Sequence, residues 1–263
     1  MKKYFMCAMA AVAMLSVSSC SSEEEVNMSG AKGVGYISLN TSTEDAVITR
    51  ADAEITTFKA KVYTGGVNGT YAWGTKDTYA PITASINTTP MSPVDYVVDV
   101  RNYDNMDAAL ATNSNFGAAY WEGQANVTVV TATKTSVTVA CGKPKNTKLI
   151  LNASAFGGTA LSLNISTPRT LAFVWNNSTK VFDHAESFFA PAAVLSYTIS
   201  YTINGIEKVT STKTLTMGAA GTAKKLTIAS NTNGTITLSI TTEDFDEAVE
   251  EFLTFDAATG EEV

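Results

Sequence analysis

The chain has 263 residues and a formal net charge of −7 at neutral pH, and 45% of its residues are hydrophobic. A chain of this length can bury the core of one large domain or of two small domains. The acidic balance argues against nucleic-acid binding, which depends on basic patches, and against electrostatic docking to anionic lipid.

The first 19 residues have the features of a secretory signal peptide. Lys2 and Lys3 precede an uncharged apolar run that is shorter than the about 20 residues of a membrane-spanning helix. The run ends in Val17-Ser18-Ser19-Cys20, which resembles the lipobox of bacterial lipoproteins. That resemblance implies cleavage before Cys20 and attachment of lipid to its thiol, where two or three acyl chains anchor a protein firmly. The alternative is an ordinary secretory signal that contains a cysteine.

Residues 20–32 are interpreted as an acidic tether. Ser21-Ser22-Glu23-Glu24-Glu25 resembles the acidic export signal of surface-exposed lipoproteins in some Gram-negative anaerobes, and a solvated linker is the alternative. We therefore predict an outer-membrane protein that is anchored by lipid and faces outward. Without residues 1–19, 16 basic side chains remain against 25 acidic ones, which is a net charge of −9.

Apolar residues then alternate with polar residues in many short runs. The clearest runs are Phe58-Ala60-Val62, Val137-Val139, Leu161-Leu163-Ile165, Leu171-Phe173-Trp175, Leu195-Tyr197-Ile199-Tyr201 and Ile236-Leu238-Ile240. Threonine and serine fill the outward positions, where β-branched threonine suits a pleated surface. This pattern predicts an all-β fold of antiparallel sheets with one buried face each.

Turn residues divide the chain further. Asn-Gly tolerates the positive φ angles of a type I′ hairpin turn, and it occurs at Asn68-Gly69, Asn204-Gly205 and Asn233-Gly234. Glycine and proline interrupt the strands within residues 142–146, which predicts a domain boundary there. We predict two consecutive β-sandwich domains at residues 33–143 and 144–242, followed by an acidic tail at residues 243–263. The tail is either helix or strand, and residues 104–111 are expected to form one or two helical turns.

The sequence contains little that suggests catalysis. Its single histidine, His184, lies in a polar stretch, and no Gly-x-Ser-x-Gly motif is present. The chain without its signal has too few cysteine and histidine residues for a structural zinc site. We therefore predict a non-enzymatic protein with no metal and no cofactor. Cys141 ends an alternating run and is expected in the core.

Tryptophans are the candidates for ligand binding, because their rings suit a platform under sugars. Trp175 alternates with Leu171 and Phe173, which predicts a core position. Trp73 and Trp121 are therefore the possible ligand-binding residues, with core packing as the alternative for them too.

Several short motifs resemble the fimbrillin-like lipoproteins of type V pili and a related family of uncharacterised domains. They are Gly35-Tyr36-Ile37-Ser38-Leu39, Thr49-Arg50-Ala51, the strand from Phe58 to Tyr63, Tyr120-Trp121-Glu122-Gly123 and Asn146-Thr147-Lys148-Leu149. The likeness extends over about residues 33–242 and implies two transthyretin-like sandwiches.

The resemblance also implies a mechanism. In fimbrillins a trypsin-like protease cuts after an arginine that follows the first strand, and a strand of another subunit fills the groove that is left. The matching bond here is Arg50-Ala51, and the lost strand would include Ile37 and Leu39. The expected function is a pilus component or adhesin whose partners are other pilus subunits, bound by β-strand addition. The alternatives are that Arg50 is an ordinary loop arginine, and that the protein binds host or bacterial glycans for a polysaccharide-uptake system.

Overall fold

A computed structural model describes residues 33–43, 58–65, 69–112, 114, 116–183, 188–230, 235–243 and 248–256, the last two ranges by their backbone. Its strands are β1 (Tyr36–Thr43), β2 (Lys59–Thr64), β3 (Tyr71–Trp73), β4 (Ala80–Pro81), β5 (Asp95–Arg101), β6 (Glu122–Thr128), β7 (Lys134–Gly142), β8 (Thr147–Asn152), β9 (Ala160–Thr167), β10 (Leu171–Asn176), β11 (Val181–Phe182), β12 (Phe188–Ala190), β13 (Val194–Ile203), β14 (Ile206–Val209), β15 (Lys213–Thr216), β16 (Ala223–Ser230), β17 (Thr235–Glu243) and β18 (Ala248–Asp256). A 3₁₀ helix spans Ala84–Thr88 and α1 spans Met106–Leu110. The predicted all-β class is confirmed.

The N-terminal sandwich packs a larger sheet against a small one. The larger sheet has the order β3-β2-β5-β6, with β4 also paired to β2, and the small sheet consists of β1 and β7. Ala60 and Val62 of β2 lie opposite Val100 and Val98 of β5, and all four side chains are fully buried. The period-two alternation of these strands therefore places one face of the sheet in the core, as predicted.

The C-terminal sandwich consists of two larger sheets. One has the order β11-β10-β9-β13-β14 with β15 also on β13, and the other has the order β12-β8-β16-β17-β18. Leu163 and Ile165 of β9 and Phe173 and Trp175 of β10 enter the core between the sheets. Trp175 packs edge-on against Phe156 at 5.1 Å, which confirms its predicted core position.

Two of the strand pairs are parallel, which the alternation did not predict. β1 runs parallel to β7 and β8 runs parallel to β16, whereas the other pairs of named strands are antiparallel. Parallel neighbours need a long crossover connection. Between β1 and β7 the chain builds the larger N-terminal sheet, and between β8 and β16 it builds the opposite C-terminal sheet together with β12, so both routes are long enough for a crossover.

Local predictions were confirmed at a turn and at a helix. Asn204 and Gly205 have φ values of 53° and 77° and join Ile203 directly to Ile206, as a type I′ turn requires. α1 begins after Asn105, whose side-chain Oδ1 accepts a hydrogen bond from the Ala108 N–H at 2.8 Å. Within the C-terminal stretch, for which the sequence allows helix or strand, Ala248–Asp256 forms strand β18 and pairs with β17.

The predicted domain boundary is a closely packed joint. Asn146 is fully buried, donates to the Ala118 carbonyl at 2.8 Å and accepts from the Tyr120 N–H at 3.0 Å. Phe116, from the N-terminal half, belongs to the C-terminal core, whereas Phe189, from the C-terminal half, belongs to the N-terminal core. Each sandwich is therefore completed by an aromatic ring from the other half of the chain.

Candidate functional site

β1 is bound along one edge by a continuous parallel ladder. Tyr36 lies opposite Lys134, and the register continues without a shift to Ser42 opposite Ala140. Because β7 is its only partner strand in the described part of the chain, β1 depends on this ladder and on its side chains for its place in the fold. The strand is therefore an edge element of the N-terminal sandwich.

The first half of β1 supplies its anchoring side chains. Ile37 is fully buried, and Tyr36 and Leu39 are 8% and 7% exposed. Ile37 and Leu39 pack in the N-terminal core with Val137 and Val139 of β7. Full burial of an aliphatic side chain contributes about 1.5–3 kcal/mol, so these side chains hold β1 more strongly than a surface strand is held.

A short segment covers part of the outer edge of β1. Asn87, in the 3₁₀ helix, accepts the Leu39 N–H on its side-chain Oδ1 at 3.0 Å. Gly35 and Met91 exchange two backbone hydrogen bonds of 2.9 and 3.0 Å. A Cβ at Gly35 would overlap the carbonyl oxygen of Val130, so only glycine allows the backbone at position 35 to lie this close to Val130. These covering residues carried no signal in the sequence, because the contacts are non-local.

The second half of β1 emerges from the core. Asn40, Ser42 and Thr43 are exposed, and residues 44–58 follow before β2 begins. The predicted processing residues Arg50 and Ala51 fall within that stretch, outside the described residues, and so does the predicted lipidation residue Cys20 further upstream. In the order of the chain, the Arg50–Ala51 bond lies between β1 and β2.

The other two arginines of the chain occupy structured positions. Arg101 donates to the Asp99 carboxylate through Nε and Nη2 at 3.3 and 3.2 Å. The guanidinium of Arg169 donates to the backbone carbonyls of Leu110 and Phe189 and stacks over Phe188. Both sites hold the arginine within the fold, which disfavours cleavage at either in the native protein.

The tryptophans do not form the exposed pair that a sugar platform needs. Trp121 is 4% exposed and belongs to the N-terminal core, and Trp73 is half-buried against the same core. Trp121 therefore has the core position that the sequence offered as its alternative, and ligand binding at Trp73 stays a prediction. The physical reason is that the inward face of this sheet needs large apolar side chains.

A polar layer covers part of the outer face of the N-terminal sheet. Asp99 is 8% exposed and accepts the Tyr79 hydroxyl at 2.8 Å beside its contacts with Arg101. Tyr120 donates to the Glu122 carboxylate at 2.7 Å. Burial, followed by these bonds to carboxylates, raises the pKa of both Tyr79 and Tyr120. Both carboxylates of this layer already accept tyrosine hydroxyls, which points to a stabilising role for the layer.

Cys141 is buried in the N-terminal core, as predicted. Burial raises the pKa of its thiol to about 11, so the reactive thiolate is scarce at neutral pH.

Among the described residues, no group of three or more His, Cys, Asp or Glu side chains is placed to hold a metal ion. His184 lies outside the described residues. Within the described ranges, no helix has both the length and the apolar character needed to cross a membrane.

The fold thus defines an all-β protein of two sandwiches whose first strand is an edge strand. A family described as a domain of unknown function, DUF4493, matches residues 33–254, and the chain belongs to this family. No curated protein matches this chain. Among solved structures, the Bacillus anthracis TIE protein is similar over 86% of this chain and 49% of its own, with 11% identity and a TM-score of 0.25. The chain spans about half the length of that protein, and so weak a likeness carries no argument about function.

Proposed function

We propose that this chain is a non-enzymatic surface lipoprotein, anchored to the outer membrane through Cys20, that acts as a fimbrillin-like pilus component or adhesin. The observation that carries the proposal is the position of β1. It is an edge strand with buried anchors, it has one partner strand among the described residues, and Arg50 follows it before β2 begins. These are the features that a removable strand requires.

Cleavage of the Arg50–Ala51 bond would leave β1 held by non-covalent contacts alone. Its departure would expose the backbone edge of β7 and the apolar sites of Ile37 and Leu39. An unpaired edge beside apolar pockets is a template for β-strand addition, in which the ladder supplies affinity and alternate side chains supply specificity. A strand from another subunit would restore both the ladder and the core.

Selective proteolysis tests the first step. An arginine-specific protease acting on the folded full chain is expected to cut after Arg50, because Arg101 and Arg169 are held within the fold. Mass spectrometry of the products locates the cut, and the Arg50→Gln variant is the matched control that should remain intact. Faster cleavage after Arg101 or Arg169 would contradict the proposal.

A labelled peptide tests the second step. A synthetic peptide with the sequence of residues 33–43 should enter the cut protein, as followed by native mass spectrometry, and should not enter the uncut Arg50→Gln variant. A control peptide with Ile37→Asp and Leu39→Asp should fail to bind, because burial of an unpaired carboxylate is strongly unfavourable. Equal uptake of both peptides would show that the apolar sites of Ile37 and Leu39 do not determine which strand binds.

A further inference from the structure

A row of side chains crosses the outer face of the larger N-terminal sheet. Tyr71 of β3 lies opposite Tyr63 of β2, Tyr63 lies opposite Val97 of β5, and Val97 lies opposite Asn126 of β6. Directly paired residues of an antiparallel sheet share a face. The four side chains therefore form one continuous strip across four strands, on the face that is turned away from the core.

The aromatic end of this strip offers two half-exposed rings. The Tyr63 and Tyr71 ring centroids are 5.4 Å apart and the rings are tilted by 35°. The Gln124 side-chain amide donates to the Tyr63 hydroxyl at 3.4 Å, and Gln124 is an exposed residue. Burial raises the pKa of Tyr63, so its hydroxyl stays protonated and can both donate and accept.

The other end of the strip is a shallow depression. It has a volume of about 390 Å³ and is lined by Gly65, Asp95, Val97, Asn126 and Thr128, with the adjoining backbone. Asp95 accepts the Thr128 hydroxyl at 2.6 Å, which fixes the rim of the depression. The Asn126 side chain is exposed and offers an amide donor and acceptor beside the half-buried Val97.

Two cations on the same face are already engaged. Lys61 donates to the Lys76 carbonyl at 2.7 Å and lies 4.1 Å from the centre of the Tyr79 ring. Arg101 is paired with Asp99. The strip and its rim therefore offer tyrosine rings, side-chain amides and the Asp95 carboxylate, a set suited to an uncharged, hydroxyl-rich ligand rather than to an anion.

We propose that this strip, together with the neighbouring Gln124, binds a neutral saccharide. The tyrosine rings would stack on the apolar face of one sugar ring, and the amides of Gln124 and Asn126 would bond to hydroxyls of the next ring along the strip. Aromatic surface with a few placed polar groups is the usual composition of a ligand site. The proposal goes beyond strand exchange, since it concerns the opposite face of the sheet and holds whether or not β1 is removed.

Isothermal titration of the uncut full chain with cellohexaose, xylohexaose, mannohexaose and maltohexaose tests this inference. At least one of these neutral oligosaccharides should bind, and Tyr71→Ala and Asn126→Ala should each weaken that binding by about tenfold or more. Tyr103→Ala, which changes a half-buried tyrosine outside the strip, is the matched control and should leave affinity unchanged.

Binding of none of the four oligosaccharides would overturn the proposal. Unchanged affinity in the strip variants would overturn it too. If Tyr71→Ala does not fold, the exposed positions Gln124 and Asn126 allow the same test through Gln124→Ala and Asn126→Ala, checked by thermal unfolding. A protein that fails this test while it still exchanges β1 would separate the saccharide inference from the proposed function.

Discussion

The first strand of each sandwich makes the same kind of contact but occupies a different place in its sheet. β1 pairs in parallel with β7, and β8 pairs in parallel with β16. β8 has a second neighbour, since β12 pairs with its other edge, whereas the other edge of β1 meets only the segment around Asn87 and Met91 in the described part of the chain. The two strands therefore differ in how easily they can be lost.

β8 and β1 also differ in how much of each strand is buried. Thr147, Lys148, Leu149 and Leu151 of β8 are all buried, so both faces of that strand lie within the protein. β1 buries its first half and exposes most of its second half. The comparison teaches that parallel pairing alone does not make a strand removable. β1 differs from β8 in its edge position and in the burial of only its first half, and the proposed removal of β1 rests on these two differences.

The largest expected effect is the loss of stability when a buried leucine is truncated in each of these two strands. Leu149→Ala should cost about 3–5 kcal/mol, because Leu149 is 1% exposed in a strand that is fixed on both sides. Leu39→Ala should cost about 2–3 kcal/mol, because an edge site collapses more readily around the missing atoms. Denaturant unfolding of the uncut chain measures both values. Equal losses, or a larger loss for Leu39→Ala, would break the comparison.

An intermediate effect is expected at the outer edge of β1. Asn87→Ala removes the acceptor of the Leu39 N–H and should lower stability by about 1 kcal/mol. In the cut protein, the same change should speed replacement of β1 by the peptide about fivefold, because that hydrogen bond holds only β1. Ser92→Ala, at an exposed position nearby, is the control and should exchange at the unchanged rate.

A further effect is expected at alkaline pH. Burial raises the pKa of the Cys141 thiol from 9.0 to about 11, and burial also raises those of Tyr79 and Tyr120. The folded state retains protons that the unfolded state releases, so this stability is complete below the unfolded pKa values and is lost as pH rises through the folded ones. The free energy of unfolding should therefore decline from about pH 9 to about pH 11, and less steeply in Cys141→Ala. An identical slope in the variant would exclude Cys141 as a cause.

The sequence predicted the faces of the strands better than their neighbours. Period-two alternation correctly assigned Ala60, Val62 and Phe173 to the core, because side-chain direction is a local property of a strand. The parallel partners of β1 and β8 were missed, since the pairing depends on residues far away in the chain. The saccharide strip was missed for the same reason, as Tyr71, Val97 and Asn126 come together only across strands.

The connection between the sandwiches also shows that local sequence does not reveal contacts between distant residues. Glycine and proline correctly marked the interruption of the strands at residues 142–146, but turn residues do not reveal whether a connection is exposed. Asn146 is buried there, because its amide satisfies the backbone of Ala118 and Tyr120. Similarly, the adjacent Phe188 and Phe189 are both buried, and their local sequence does not show that Phe188 enters the C-terminal core and Phe189 the N-terminal core.

The most direct test of the account is the N-terminus of the protein on its native cell surface. Intact-mass analysis and N-terminal sequencing of the recovered protein would identify it. The account predicts a polymer-associated chain that begins at Ala51 and carries no lipid, since the cut also separates the chain from Cys20. A polymer-associated chain that still begins at lipidated Cys20, with Arg50 intact, would contradict removal of β1.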